Sequence, residues 1–466
     1  MHQPDATTQP VTVLLLVVVA TALSNLEVGL VNVALPTLAA TFAVAPTIIQ
    51  WVAIAYQLAI IGTLILFGRL VDIKGGRVLY VAGMATMAVA SALAALSQSA
   101  LWLIFARGLL GLGAAMLLAT GQALLALAYP SSGRGRAFGF MHMAVAAGLM
   151  AGPSVGGLLI TTVGWRILFL APLPLALVAG WWGWRVLPQA QTHQPEPLDL
   201  VGALLIFLVA TLAVIGLTRL ADAHWPTAII PFLLMLLAGG AFLLVEQRQP
   251  VPLVDVGLLA HWPLAAGLLI AVLTFIALAS NMFLIPFALQ DLMGHSAAIT
   301  GLVMMTVPLT ILPIAPLAGS IADRWDNRLP TTVGLVAMSA AIFGMAQFRS
   351  TTALPLVVAI LGLYGVGAGL FQAPNNSAVL RMAPTHRTGI VSGMLALARN
   401  LGQVLGVAIA SMVWTWRQAY YRSEAEMEAQ QALGAGLHDA FLVLSVFAVL
   451  ALVMTAFRPQ PERSIT

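Results

Sequence analysis

A chain of 466 residues that is 61% hydrophobic and only 8% charged, with a mean hydropathy of +0.99, cannot sort itself into an apolar core and a polar surface. This excludes a water-soluble domain and specifies a polytopic membrane protein. The net charge of +4 is scattered singly over short polar breaks, so it reads as an orientation signal and not as a nucleic-acid patch. Cysteine is absent, which excludes disulfides, thiol catalysis and cysteine metal sites. No metal cluster and no paired acid and nucleophile points to an enzyme.

The leader before Val11 carries Asp5 but no basic n-region and no small-residue cleavage site, so the first apolar run reads as a retained helix. A run of about 20 apolar residues crosses about 30 Å of hydrocarbon. Such runs are predicted at 11–35, 49–70, 78–98, 101–126, 138–161 and 166–186, a first six-helix bundle. Runs at 199–219 and 227–245 follow, and then 263–289, 299–321, 330–348, 353–380, 388–415 and 438–457. The expectation is an all-α protein of fourteen transmembrane helices: bundle 11–186, an inserted pair 199–245 and bundle 263–457. Both termini then lie on one face, with Lys74, Arg77, Arg134, Arg136, Arg248, Arg328, Arg381 and Arg387. That face is assigned to the cytoplasm of an inner (plasma) membrane. Segment 416–437, where Glu424, Glu426 and Glu428 offset Arg417 and Arg422, reads as a solvated helical extension.

An internal repeat supports the two bundles. Gly68-x-Leu70-x-Asp72 recurs as Gly319-x-Ile321-x-Asp323, an offset of 319 − 68 = 251, and Gly111-x-Gly113 recurs as Gly365-x-Gly367, an offset of 365 − 111 = 254. Gly148 and Gly152 map onto Gly402 and Gly406 with the same 402 − 148 = 254. Repeated bundles with a site between them are an architecture of secondary transporters.

Glu27, in Ser24-Asn25-Leu26-Glu27, is the one carboxylate placed deep within a span. Inserting such a charge costs about 2.5–3.5 kcal/mol. Burial favours the neutral acid, a group that can load and release a proton; a hydrogen-bonded structural glutamate is the competing reading. Adding 254 to Glu27 gives Asn281, so the second bundle offers no partner acid. Arg107, in Leu103-x3-Arg107-x3-Gly111-x-Gly113, must face the bundle interior or a wet cavity if it lies at depth. Near Glu27 it would stabilise the carboxylate. Its place about two turns from the start of its helix also permits snorkelling. Arg399 either pairs with carbonyls or serves a substrate. His142 either titrates near neutral pH or is hydrogen-bonded near the cytoplasmic end.

Gly148, Gly152 and Gly156 recur every four residues, so on a helix they leave a groove where a neighbouring backbone can approach. Pro153 is expected to bend that helix. In the segment Gly68-Arg69-Leu70-Val71-Asp72-Ile73-Lys74-Gly75-Gly76-Arg77, glycines permit a tight turn. Asp72, set against a helix N-terminus and basic residues such as Arg77, would form a charge–dipole latch of about 0.3–1 kcal/mol. A latch that breaks when the bundles move is a gate, and the same charges can serve as an orientation signal. Asp323 belongs to its second copy.

These motifs share a resemblance. Gly148-x3-Gly152-Pro153-x2-Gly156-Gly157 resembles the antiporter signature on the fifth helix of major facilitator superfamily exporters. The 68–77 segment is similar to the superfamily's cytoplasmic loop motif, and 103–113 to its motif that sets an arginine beside the proton site. Glu27-x4-Asn32-Val33-Ala34-Leu35-Pro36 resembles the first-helix motif of the fourteen-helix drug:H+ antiporter branch, with Glu where Asp is usual. Trp51-Val52-x3-Tyr56-Gln57, Asp199-x2-Gly202 and Glu246-x-Arg248-x3-Pro252-Leu253-x-Asp255 extend the likeness over nearly the whole chain.

The resemblance implies a major facilitator fold that acts as a monomer in the lipid bilayer. It would use no cofactor or metal, draw on the proton gradient, and export amphipathic drug-like small molecules by alternating access. Export of one endogenous metabolite or lipid-like molecule is the alternative. Glu27 and Arg107 are expected to couple protons. Asn32, Tyr56, Gln57, Asn281, Phe371, Gln372, Asn376 and Arg399 are the expected cavity residues, though for each aromatic, packing against lipid or core competes. Asp72, Arg77, Gly148, Gly152, Pro153, Gly156 and Asp323 are the expected gating residues.

Overall fold

The computed structural model describes residues 10–129, 131–187, 199–221, 225–249, 254, 256–324, 328–382 and 388–457. Among them the helices are α1 (Pro10–Phe42), α2 (Pro46–Lys74), α3 (Gly76–Ala95), α4 (Ala100–Ala128), α5 (Ser131–Thr162), α6 (Ile167–Leu170), α7 (Pro172–Val186), α8 (Leu200–Ala221) and α9 (Trp225–Glu246). Then come α10 (Val256–Leu259), α11 (Trp262–Phe287), extended by a π-helical turn at Ala288–Leu292, α12 (Ala297–Met304), α13 (Thr306–Arg324), α14 (Arg328–Ala346), α15 (Leu354–Arg381), α16 (Thr388–Ser423) and α17 (Ala429–Phe457). No strand occurs among the described residues. With no water in hydrocarbon to satisfy backbone groups, a helix is the way this composition can pair them locally.

Among the described residues, fourteen runs are long and apolar enough to cross a membrane; α6 with α7 make one, and α12 with the first part of α13 make another. The chain is therefore an all-α multi-pass membrane protein. Its outer faces carry large apolar side chains such as Leu101, Phe105, Trp181, Leu236 and Leu237, the exposure expected where lipid is the solvent.

Several helix boundaries differ from the sequence reading; α5, for instance, begins at Ser131 and not at 138. The first helix does not stop before Pro36 but runs through it to Phe42, since a proline inside a buried membrane helix removes one donor without exposing the freed carbonyl to water. At 416–437 the helical extension is real but belongs to both neighbours: α16 continues to Ser423 and α17 begins at Ala429. Within it Arg417 pairs with Asp439 on α17 rather than with the nearby glutamates. Its Nη2 donates to the Tyr421 hydroxyl at 2.8 Å, and that hydroxyl donates to Asp439 Oδ2 at 2.9 Å.

The chain divides into two compact units. The first comprises the described part of Met1–Val44, with Trp51–Ala203 and Ala297–Gly301; the second comprises Ala45–Gln50, Leu204–Ser296 and the described part of Leu302–Thr466. In the first, α1 lies along α5 and α4, while α3 lies between α4 and α7. In the second, α11 lies along α16 and α17, and α14 between α15 and α17. There Ile270, Leu335, Phe371 and Ala451 close a buried cluster where α11, α14, α15 and α17 meet.

The glycine face of α5 is filled by α1. A Cβ on Gly152 would lie 2.5 Å from Gly29 Cα, one on Gly148 would lie 3.0 Å from Leu26 N, and one on Gly156 would lie 2.9 Å from Val33 Cγ1. α5 stays helical through Pro153. Leu149 O, the acceptor that Pro153 cannot serve, faces Gly29, 3.3 Å from where a Cβ of that residue would be. Glycine on both helices is what lets the two backbones touch.

The repeat shows itself in related glycine contacts. Gly148 meets the Ala22 carbonyl, Asn25 Cβ and Leu26 N; Gly402 meets the Val272 carbonyl, Phe275 Cβ and Ile276 N. At this glycine α11 follows α1 by 272 − 22 = 250, and at the next, where Gly152 meets Gly29 and Gly406 meets Ile276, by 276 − 29 = 247. Gly113 meets Gly83 and Met87 as Gly367 meets Gly334 and Met338, an offset of 334 − 83 = 251 for the third helix. Gly111 meets the Tyr56 carbonyl as Gly365 meets that of Val307, again 307 − 56 = 251. α11 is thus set back by about one to two helical turns from a uniform repeat. These contacts set Glu27 against Ala277 (27 + 250) or Thr274 (27 + 247), neither of them an acid.

Gly152→Ala should lower stability by about 1–3 kcal/mol, the range for overpacking a close contact, because the new carbon meets backbone that cannot rotate away. Gly240→Ala on α9, where nothing lies within 4 Å, should change it by less than about 0.5 kcal/mol. Thermal unfolding in detergent compares the two, and equal midpoints would remove the α1–α5 contact as a stability determinant.

Candidate functional site

Glu27 on α1 and Arg107 on α4 meet inside the first unit. Arg107 Nη1 donates to Glu27 Oε2 at 2.9 Å, and the two side chains are 0% and 1% exposed. Arg107 Nε donates to the Val52 carbonyl of α2 at 3.0 Å. Its Cζ lies 4.5 Å from the centroid of the Tyr56 ring, within cation–π range. The Tyr56 hydroxyl in turn donates to the Ser24 carbonyl of α1 at 2.9 Å. Glu27 Oε1 has no hydrogen bond among the described residues.

The Arg-x3-Gly spacing explains how α4 delivers this arginine. Gly111 presses against the Tyr56 carbonyl, and an added Cβ there would lie 2.8 Å from Ala59 Cβ. The two helices run so close only because Gly111 has no side chain. Arg107 and Val52 each stand four residues earlier on their own helices, so the guanidinium meets the Val52 carbonyl one turn from that contact. An isolated charge in such a place carries a desolvation penalty of several kcal/mol; the opposed charge, the carbonyl and the ring together offset it. Arg107 is thus turned inward and does not snorkel.

Other expected site residues lie as follows. Asn32 is buried on α1, five residues beyond Glu27, and Gln57 is half-buried beside Tyr56. In the second unit Asn281 is buried on α11, its Nδ2 donating to the Ala277 carbonyl at 2.8 Å. It borders a hollow of about 20 Å³ with Met282, Ile285, Met304, Val307, Leu361 and Tyr364, room for a water molecule. Phe371 belongs to the buried cluster of that unit, while Gln372, Asn376 and Arg399 are half-buried. Of the gating set, Gly148, Gly152, Pro153 and Gly156 make the α1 contact described above. Arg77 on α3 stacks over Trp184 at 4.5 Å, a partner that the loop motif did not signal. Gly75, at the α2–α3 turn, has φ of 87°, a conformation that favours glycine. The side chains of Asp72, Asp323 and His142 lie outside the described residues.

Asp199 Oδ1 accepts from the Gly202 amide at 2.8 Å and caps α8. Glu246 Oε2 accepts from the Val254 amide at 3.2 Å. Both resembled motifs therefore have a structural task. Among the described residues, no three His, Cys, Asp or Glu side chains gather where a metal could sit.

A model of the Major Facilitator Superfamily matches residues 17–407. The chain belongs to the major facilitator superfamily. It is 29% identical over 449 residues to the riboflavin transporter RibZ of Clostridioides difficile, covering 96% of each protein. It is 30% identical over 407 residues to the multidrug efflux pump LfrA of Mycolicibacterium smegmatis, covering 85% of this chain and 78% of that one. Its fold is similar to that of a bacterial homolog of the human lysosomal transporter Spinster, with a TM-score of 0.72 at 15% identity over 98% of each chain. A major facilitator protein is a transporter, and the candidate spans place this one in a bilayer.

Arg107→Met alone should destabilise the protein increasingly as pH rises, by up to about 3–5 kcal/mol, because it leaves a buried carboxyl without its cation and neutralising that carboxyl costs more at high pH. Adding Glu27→Gln should recover more than about 1 kcal/mol of that loss, the coupling expected of a contacting pair. Thermal unfolding of the four members of the cycle reads this, and strict additivity would mean that the two residues do not interact.

Proposed function

We propose that this chain is a proton-coupled exporter of amphipathic drug-like compounds, working as a monomer by alternating access in the inner membrane with both termini cytoplasmic. The observation that carries the reading is the fully buried contact of Glu27 with Arg107. A carboxyl at that depth has two states of comparable cost: ionised and paired, or neutral and unpaired. Protonation at Glu27 cancels its attraction to the guanidinium, and release of the proton restores it. Arg107 keeps the Val52 carbonyl and the Tyr56 ring in either state, so what changes is the hold of α1 on α4. Differential stabilisation of two arrangements by a proton is the requirement for coupling.

Several features support export of drug-like cargo: the 30% identity to a multidrug efflux pump and the likeness of the α5 glycine series to the antiporter signature. The comparable identity to a riboflavin transporter favours a second reading, transport of one metabolite.

Glu27→Gln should abolish proton-driven uptake into inverted membrane vesicles, because the amide mimics the protonated acid and cannot release a proton. Cargo binding to the purified variant should persist. Vesicles challenged with a panel of amphipathic dyes and with riboflavin separate the two cargo readings, and undiminished proton-driven transport by the variant would assign coupling elsewhere.

A further inference from the structure

We propose that Tyr56 is a positioning residue for the Glu27–Arg107 pair, holding both partners in register from α2; the inference rests on the coupling role given to that pair above. Tyr56 is 2% exposed and grips the two partners with different parts of its side chain. Its ring lies against the guanidinium, with Cζ 4.5 Å from the centroid. Its hydroxyl donates at 2.9 Å to the Ser24 carbonyl, which is three residues before Glu27 and so in the same turn of α1. Val52, one turn before Tyr56, supplies the carbonyl that takes Arg107 Nε at 3.0 Å. One stretch of α2 therefore fixes the height of the arginine and the height of the acid together.

The internal repeat provides a control within the same chain. At the offsets set by the glycine contacts, Tyr56 corresponds to Val307 (56 + 251) and Arg107 to Leu361 (107 + 254), while Glu27 falls at Ala277 or Thr274 (27 + 250 or 27 + 247). The acid, the arginine and the tyrosine are all missing from these places in the second bundle. Val307 and Leu361 instead border the hollow of about 20 Å³, and Tyr364, from α15, donates its hydroxyl to the Ala277 carbonyl at 3.3 Å. A tyrosine needed only for packing α2 against α4 would be expected in both bundles, since the contacts of Gly111 and Gly365 correspond. Where the ion pair is missing, the tyrosine at this place is missing as well.

Few other charges reach the pair. Among the described side chains, Glu27 faces Arg107 from α4 and Tyr56 from α2. α6 carries no titratable residue, and the Arg185 guanidinium of α7 stacks over Trp181. The charged and histidine side chains of α5, which are Arg134, Arg136 and His142, lie outside the described residues. Loosening the guanidinium weakens the ionised pair more than the neutral acid, because only the ionised form depends on the distance between charges.

The test follows the carboxylic-acid infrared band of Glu27 against pH in the purified full-length protein, with the band assigned by its loss in Glu27→Gln. Tyr56→Leu removes ring and hydroxyl, and the band should persist to a pH higher by about one unit, a tenfold change in the protonation equilibrium. Tyr56→Phe keeps the ring and the packing, and a smaller shift in the same direction is expected. Band midpoints equal to the parent's in the folded Tyr56→Phe and Tyr56→Leu proteins would overturn the proposal, whatever happens to transport. So would an unchanged midpoint accompanied by weaker dye binding, which would return Tyr56 to the cavity. The band reports position and the vesicle assay of Glu27→Gln reports coupling, so the two proposals fail separately.

Discussion

An ion pair without water is the constraint from which the first unit is built. Glu27 and Arg107 carry full charges into a region where each alone would cost several kcal/mol, and nothing on the outer, lipid-facing surface could compensate them. Three helices must therefore converge: α1 with the acid, α4 with the arginine, and α2 with a carbonyl and a ring to occupy the rest of the guanidinium. Close approach is the means. Gly111 lets α4 touch α2 at the Tyr56 carbonyl, and the glycines of α5 let it touch α1 at Gly29, two residues beyond the acid. The small residues and the charged ones are parts of a single arrangement, since a bulkier side chain at either contact would move the charges apart.

Related helix contacts recur in the second unit without an ion pair at that place. α16 meets α11 through Gly402 and Gly406, and α15 meets α13 through Gly365, yet Val307 and Leu361 stand where the tyrosine and the arginine stand in the first, and no acid stands where Glu27 does. Packing of this architecture does not require the ion pair, because close backbone contact and dispersion suffice in lipid. The charged set in one bundle is an addition to a frame that holds without it. Such an addition raises the energy of that bundle unless it has a task, and intramembrane charges are retained mainly for function. The asymmetry between the repeats thus fits the coupling role proposed for the Glu27–Arg107 pair.

Much was legible in the sequence because the membrane makes composition almost equivalent to fold. The fourteen spans, the buried acid and the glycine series of α5 follow from hydropathy and spacing, since an apolar run of sufficient length has few alternatives to a helix. The helical character of 416–437 was readable for similarly local reasons, whereas the inward turn of Arg107 and the cap at Asp199 needed the structure. The single acid was readable as well. A uniform repeat offset ignores slippage of one helix along another, and only the contacts of Gly402 and Gly406 with α11 reveal it.

What the sequence determined by itself, then, is the class of molecule, the membrane helices and the few residues too polar to be there by chance. What the tertiary structure decided is which of them meet. Nothing in the spacing of Glu27, Tyr56 and Arg107 says that residues from three separate helices share one site, or that the α5 groove is filled by α1. Nor does a loop motif announce that Arg77 stacks on Trp184, or a run of glutamates that Arg417 pairs with Asp439. Periodicity along one helix shows which face turns inward. The rotation and height of that face against its neighbours depend on side-chain contacts between helices far apart in the chain, and these exist only once the bundle has closed.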